Sequence, residues 1–295
     1  MNYFDKTIHK VKNLRNSIYS FIYTTRKAEF EDEFICKLKR NKNNFFCVIA
    51  FEQPQVLEWM FILSKKNLNK FNILIFDNSR NLSKRKEIEC LCKRFDIPYL
   101  SLPSHKIKHP SRSHSLAMNW VYYRIIQKIR PNWFGYLDHD MIPVNKETLN
   151  FVKNDFFYGI RRKSVHSHCW ALWAGYCIFN FNGVKNLPVN FLYDFSRHLD
   201  TGGMNWDSLY KFCDVTKTNF ASQEYIEIDL FGKHKNIIQL IDKTWIHIGG
   251  VSYSGDQYNS KVYDSNGFYT NFINELEAGK SFKKILSENK HKYIN

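Results

Sequence analysis

The sequence predicts an α/β protein: a mostly parallel central sheet flanked by helices, in a single domain. Three observations predict it. Short apolar runs of strand length alternate with segments of helical spacing from Phe45 to Phe181, the order that builds parallel sheets through helical crossovers. Two of those runs stop at acids, Phe71–Phe76 at Asp77 and Trp133–Leu137 at Asp138 and Asp140; in such sheets ligands gather at the carboxyl ends of the strands. No internal repeat or long linker divides the 295 residues, a length sufficient for one large core.

Residues 1–43 read as a basic helical extension. Lys6, Lys10, Lys12, Arg15, Arg26 and Lys27 surround Ile8, Val11, Leu14, Ile18, Phe21 and Ile22, which recur at spacings of three and four. Two readings stay open: an arm lying on anionic lipid, or a helix packed on the body with a solvated basic face. Phe45–Phe51 is the first buried strand, with a helix through Val56–Lys65. Phe71–Phe76 is the second strand, residues 84–95 are helical, and Pro98–Leu102 is a short third strand. After the basic loop His105–Arg112, Ser113 or Ser115 is expected to cap a helix running to about Ile129.

Trp133–Leu137 then leads into Asp138-His139-Asp140 and the proline stop at Pro143. Lys146–Val152 reads as helix, Phe156–Ile160 as strand, and Trp170–Phe181 as a strand crossing the core. A break at Asp200-Thr-Gly-Gly203 precedes an expected helix at Trp206–Cys213. Thr244–Gly250 reads as a strand ending in paired glycines, and residues 279–295 as a basic tail ending in a fraying helix.

The bulk composition narrows the classes. Hydrophobic residues are 44% and aromatics 17%, which excludes a disordered chain. The net charge of +15 favours an anionic partner: nucleic acid, a phospholipid surface or a phosphorylated substrate. Seven scattered cysteines with one close pair, Cys90 and Cys92, form neither a zinc site nor a disulfide framework, so a reducing, cytoplasmic setting is expected. No signal peptide and no apolar run of about 18 residues is found, leaving peripheral contact with the inner face of a membrane as the membrane option.

Chemistry points first to Asp138 and Asp140. Alternate residues of an extended chain share a face, so two carboxylates at a strand's end can hold a hard divalent cation with positions open for water or phosphate. The plain alternative is a surface turn, where Asp is common. Asp77 reads either as a site acid or as an Asx turn or cap. His114, at a helix start beside basic residues, is a candidate diphosphate contact. His166, His168 and Cys169 lack zinc spacing. Asp200 is either a helix-start acid or an acid on a flexible turn at a cleft. His247, ahead of Gly249 and Gly250, is either a nitrogen ligand or a hydrogen-bonded, semi-buried histidine.

Taken in order, the strand Phe45–Phe51, the end Phe76-Asp77-Asn78-Ser79, the helix entering Tyr136-Leu-Asp138-His-Asp140 and the late His247 resemble a nucleotide-sugar-dependent glycosyltransferase of the GT-A fold, family 2-like. The resemblance covers residues 44–255 and makes 44–278 the catalytic domain. It implies Mn²⁺ or Mg²⁺ on Asp138, Asp140 and His247, and a nucleobase contact from Asp77. It further implies a nucleotide-sugar donor, most simply a UDP-sugar, and a glycan or lipid-linked acceptor. Phe51, Ser79, Arg112, His139, Arg161 and Trp170 are further donor-site candidates beside Asp77, His114 and Asp138. The Glu-Asp pair that carries the base in that family is missing, so Asp200, then Asp207, stands in for it; inverting chemistry needs such a base. A nucleotidyltransferase would need a glycine-rich loop after the first strand, and Ala50–Pro54 has no glycine. A non-catalytic nucleic-acid-binding protein fits the charge but shows no recognition motif, so no nucleic-acid partner is expected.

Overall fold

The computed structural model of the chain describes residues 3–39, 44–147, 149, 156–251 and 267–294. Two helices come first, α1 (Tyr3–Thr25) and α2 (Glu31–Lys39). Alternation follows: β1 (Asn44–Ala50), α3 (Pro54–Asn67), β2 (Phe71–Asp77), α4 (Leu82–Phe95) and β3 (Tyr99–Ser101). α5 (Pro110–Val121) continues through a π-helical stretch at Tyr122–Ile126 into α6 (Gln127–Ile129). Then come β4 (Trp133–Leu137), β5 (Met141–Pro143), β6 (Phe157–Lys163), β7 (Trp170–Asn180) and α7 (Phe181–Val184). The last third holds β8 (Gln223–Leu230), β9 (His234–Ile241), β10 (Trp245–His247), α8 (Phe268–Glu277), α9 (Phe282–Glu288) and β11 (Lys290–Ile294).

The expected mostly parallel sheet is present, six strands in the order β3-β2-β1-β4-β7-β6. β3, β2, β1 and β4 pair in parallel, whereas β7 and β6 add antiparallel on one side. β1 is apolar on both faces because both faces are covered, as buried parallel strands require. Phe46, Val48 and Ala50 pack with α3, and Phe45, Cys47 and Ile49 pack with α2 and α5. Phe46 also lies edge-on to Trp245 at 5.6 Å, which ties the sheet to β10. Truncating so enclosed a ring costs about 3–5 kcal/mol.

A second sheet, antiparallel and five-stranded in the order β11-β8-β9-β10-β5, corrects the single-sheet expectation. The chain passes from the first sheet to the second between β4 and β5, across Asp138-His139-Asp140. Those residues form a turn, so the two acids do not share a face by strand pleating as expected.

Three further expectations are corrected. α5 starts at Pro110, a residue pre-set for the first helical position, and Ser113 and Ser115 are buried inside the helix rather than capping it. Trp206–Cys213 is not an α-helix. It forms turns and one 3₁₀ piece, Tyr210–Phe212, with another just before it at Gly203–Asn205, because Trp206 and Tyr210 pack edgewise and face-tilted on Trp170. The chain ends in β11 paired with β8, not in a fraying helix. The helix expected at Lys146–Val152 lies partly outside the described residues. No helix among the described residues is long and apolar enough to cross a membrane.

Candidate active site

The turn between the sheets is shaped by backbone hydrogen bonds at both ends. The Asp138 N–H donates to the Gly175 carbonyl on β7 at 3.1 Å, and the Met141 N–H closes the turn onto the Asp138 carbonyl at 3.2 Å. β10 pairs with β5 so that His247 lies opposite Met141, and the Ile248 N–H reaches the Asp140 carbonyl at 3.2 Å. That register brings a residue 107 positions downstream of Asp140 to its side. One ligand atom each from Asp138, Asp140 and His247 lies within 4.8 Å of the others.

Each member of the cluster is oriented by a neighbour. Asp140 is buried and accepts the Gly249 N–H on Oδ2 at 3.0 Å, while its Oδ1 faces His247 Nε2 at 3.5 Å. Gly249 has φ +77°, a conformation that favours glycine and turns its N–H onto the carboxylate. His247 Nδ1 stands 2.7 Å from Gln239 Oε1; a proton donated there leaves Nε2 bare toward the carboxylates, the arrangement in which an outer partner fixes a metal-binding imidazole. Trp173 packs edge-on to His247 at 4.8 Å.

Asp138 differs. Its side chain is about a quarter exposed (26%), and no hydrogen-bond donor among the described residues reaches its carboxylate. His114 Nδ1 is 3.8 Å away; burial pulls that imidazole down to about 4, so it is neutral and the contact is not an ion pair. Burial, with the Asp140 and Asp200 charges adding, raises the Asp138 carboxyl above the usual carboxylate range. Gly175 makes room for it: a Cβ there would meet Asp138 Oδ2 at 2.4 Å.

The cluster forms part of the wall of a cavity of about 780 Å³, within the range of small-molecule sites. Phe51, Glu52, Asn78 and Arg80 line it from the carboxyl ends of β1 and β2, as the expected topology requires. Ala171–Gly175 line it from β7, and Asp200 and Thr201 close another side. Lys108, Arg162 and Lys163 add cations.

Of the sequence candidates, Phe51, His114, Asp138, His139, Asp140, Asp200 and His247 meet in this cavity. His139 accepts the Phe51 N–H on Nδ1 at 3.1 Å, and burial lowers its pKa. The remaining candidates lie elsewhere. Asp77 is fully buried and accepts from the Ser79 N–H and the Tyr99 hydroxyl at 2.8 and 2.9 Å, which is the Asx-turn alternative. Ser79 accepts the Glu52 N–H at 2.9 Å. Arg112 faces a small pocket beside Asn16 and Tyr19. Arg161 lies over Phe220 at 5.1 Å, and Trp170 is packed among Tyr210, Phe220 and Trp206. Asp207 is exposed and bound to Arg197 at 2.7 Å and Lys211 at 3.6 Å; the Lys211 pairing is as spaced, without the helix.

Sequence reasoning misses Glu52 and Arg80, and reaches Lys108 and Trp173 only within a basic loop and an aromatic stretch. Glu52 holds φ +55°, and its Oε1 accepts the N–H groups of Arg80 and Asn81, both at 3.0 Å. Nothing in Ala50–Pro54 signals that conformation. Trp173 was legible only as part of an aromatic strand whose packing reading is correct for Trp170.

No family model matches the sequence, and no curated protein matches it. Among solved structures, that of S. aureus TarS overlaps 36% of this chain at 15% identity and a TM-score of 0.26, and the chain spans 18% of that protein's length. So slight an overlap carries no argument about function.

Proposed function

We propose that the chain is a glycosyltransferase of the GT-A type. It would move a sugar from a nucleotide-sugar donor, a UDP-sugar in the simplest case, to a glycan or lipid-linked acceptor. The observation that carries the reading is the convergence of Asp138 and Asp140, just past the carboxyl end of β4, with His247 of β10 on the wall of one cavity. The donor set fits a divalent cation: two carboxylates that repel one another in a desolvated site, and an imidazole whose outer nitrogen has its own partner. One imidazole among carboxylates suits Mn²⁺ better than Mg²⁺, which prefers oxygen ligands alone. When bound, such an ion acts as a Lewis acid on the diphosphate as the sugar–phosphate bond breaks.

The chain's own residues supply the rest. Lys108, Arg162 and Lys163 offset the growing negative charge on the departing diphosphate. Phe51, with the Arg80 guanidinium 5.8 Å from its ring, offers a stacking face for the nucleobase in place of the buried Asp77. Asp200 borders the same cavity and takes the proton from the acceptor hydroxyl in an inverting transfer.

A thermal-shift panel of UDP-, GDP-, CMP- and dTDP-sugars, each with and without Mn²⁺, tests this. A Mn²⁺-dependent stabilisation of several degrees by one sugar nucleotide is expected at concentrations far above Kd, and it should vanish in Asp140→Asn. A panel in which no sugar nucleotide stabilises the protein with Mn²⁺ sinks the reading.

A further inference from the structure

Helix α1 turns its polar side to the protein and its apolar side outward. Asn13 donates to Asp194 Oδ1 at 2.9 Å and accepts the Phe195 N–H at 3.0 Å. Ser20 accepts from Asn119 at 2.9 Å, and the Tyr23 hydroxyl donates to the Pro103 carbonyl at 2.7 Å. Asn16, Ser20 and Tyr23 are buried. These bonds lock the rotation of the helix about its axis. On the opposite side Val11, Leu14, Ile18, Phe21 and Ile22 share one face and stand 51–72% exposed. A contiguous apolar stripe of this kind marks an interaction surface.

Charge selects what covers it. From Thr7 to Thr25 there is no acidic residue, whereas Lys10, Lys12 and Arg15 lie there. Lys10 and Arg15 are exposed and unpaired by any acid among the described residues. Arg15 borders the stripe on one edge and Lys10 on the other. A second copy of the chain would bring the same cations face to face and repel. An anionic lipid surface attracts them and receives the apolar side chains between its headgroups.

We propose that α1 is an in-plane membrane helix that seats the protein on an anionic bilayer, with Val11, Leu14, Ile18, Phe21 and Ile22 entering the interface. The proposal is independent of the glycosyl-transfer reading. It also orients the cavity: His9 of α1 stacks edge-on to His198 at 5.1 Å, and His198 lines the cavity. The cavity wall at His198 then lies across α1 from the headgroups, about one helix diameter away, on the order of 10 Å.

Co-sedimentation of the full chain with vesicles of phosphatidylcholine, plain or with about 30% phosphatidylglycerol, tests this. Binding to the anionic vesicles, weakened by salt, is expected. Leu14→Gln/Ile18→Gln/Phe21→Gln should reduce it by on the order of a hundredfold, and Lys10→Gln/Arg15→Gln by roughly tenfold or more. Both variants change exposed positions to a good helix former, so their Tm should match the parent's. Three results overturn the proposal: no binding by the parent, equal binding by the triple variant, or a parental dimer that the triple variant dissolves without any vesicle affinity.

Discussion

Two acids of this protein, Asp242 and Asp138, are held in different ways. Asp242 accepts the Tyr158 hydroxyl on one oxygen at 2.8 Å and the Tyr176 hydroxyl on the other at 3.0 Å. Asp138 faces Asp140 and His247 within the cluster, and the neutral His114 imidazole at 3.8 Å. Burial raises the pKa of both carboxyls, so a raised pKa does not separate structure from function here. Hydrogen-bond saturation does. An acid whose lone pairs are filled by tyrosines is a packing element, and one left facing another carboxylate can take a cation.

The largest test of that contrast is removal of either clustered acid. Asp140→Asn or Asp138→Asn should lower Mn²⁺ affinity by on the order of 10² or more. Calorimetric titration reads it, and the Tm without metal should hold or rise because a like-charge repulsion is relieved. Unchanged Mn²⁺ affinity would make the cluster structural.

Next in size is the ranking of two surface acids. Asp200→Asn should cut turnover by about 10² with donor affinity retained, whereas Asp207→Asn, already paired with Arg197 and Lys211, should change turnover little. Steady-state kinetics with separate donor binding decides it, and the reverse ranking moves the base to Asp207.

A smaller effect is expected from the residue behind the imidazole. Gln239→Leu removes the acceptor at His247 Nδ1 and should weaken Mn²⁺ by roughly 10-fold to 100-fold while leaving Asp138 and Asp140 in place. Parental affinity in this variant would mean that His247 is held by other contacts.

The smallest effect belongs to the satisfied acid. The folded pKa of Asp242 is raised above 3.8, so its favourable contribution is complete below about pH 4 and is lost as pH rises through the folded value. Asp242→Asn cannot titrate. The stability of the parent relative to this variant should therefore fall as pH rises above about 4, in denaturant melts. A constant difference across that range would show that Asp242 stays ionised.

Much of this was legible in the residues. Phe45–Phe51 and Phe71–Phe76 read as buried strands because a strand covered on both faces is apolar throughout, and the helices between them follow from spacing. β8 carries a signal as well, with Ile226, Ile228 and Leu230 buried between the more exposed Tyr225, Glu227 and Asp229, yet alternation names a strand without naming its partner. The failed helix at Trp206–Cys213 has the same cause: apolar spacing over two turns is too short to prevail against packing on Trp170.

By itself the sequence determined the buried strands of the first sheet and where the acids fall along them, since periodicity and chain stops are local properties. Which acids remain free was decided only by the tertiary structure. Asp77 and Asp138 both follow apolar strands. Asp77 is filled by Ser79 and by Tyr99, 22 residues away. Asp138 is left open because the chain turns there from one sheet into the other, and the pairing of β5 with β10 delivers an imidazole and the Gly249 N–H to Asp140 from 107 and 109 residues downstream. Strand register across such separations depends on the whole core, and no local pattern encodes it.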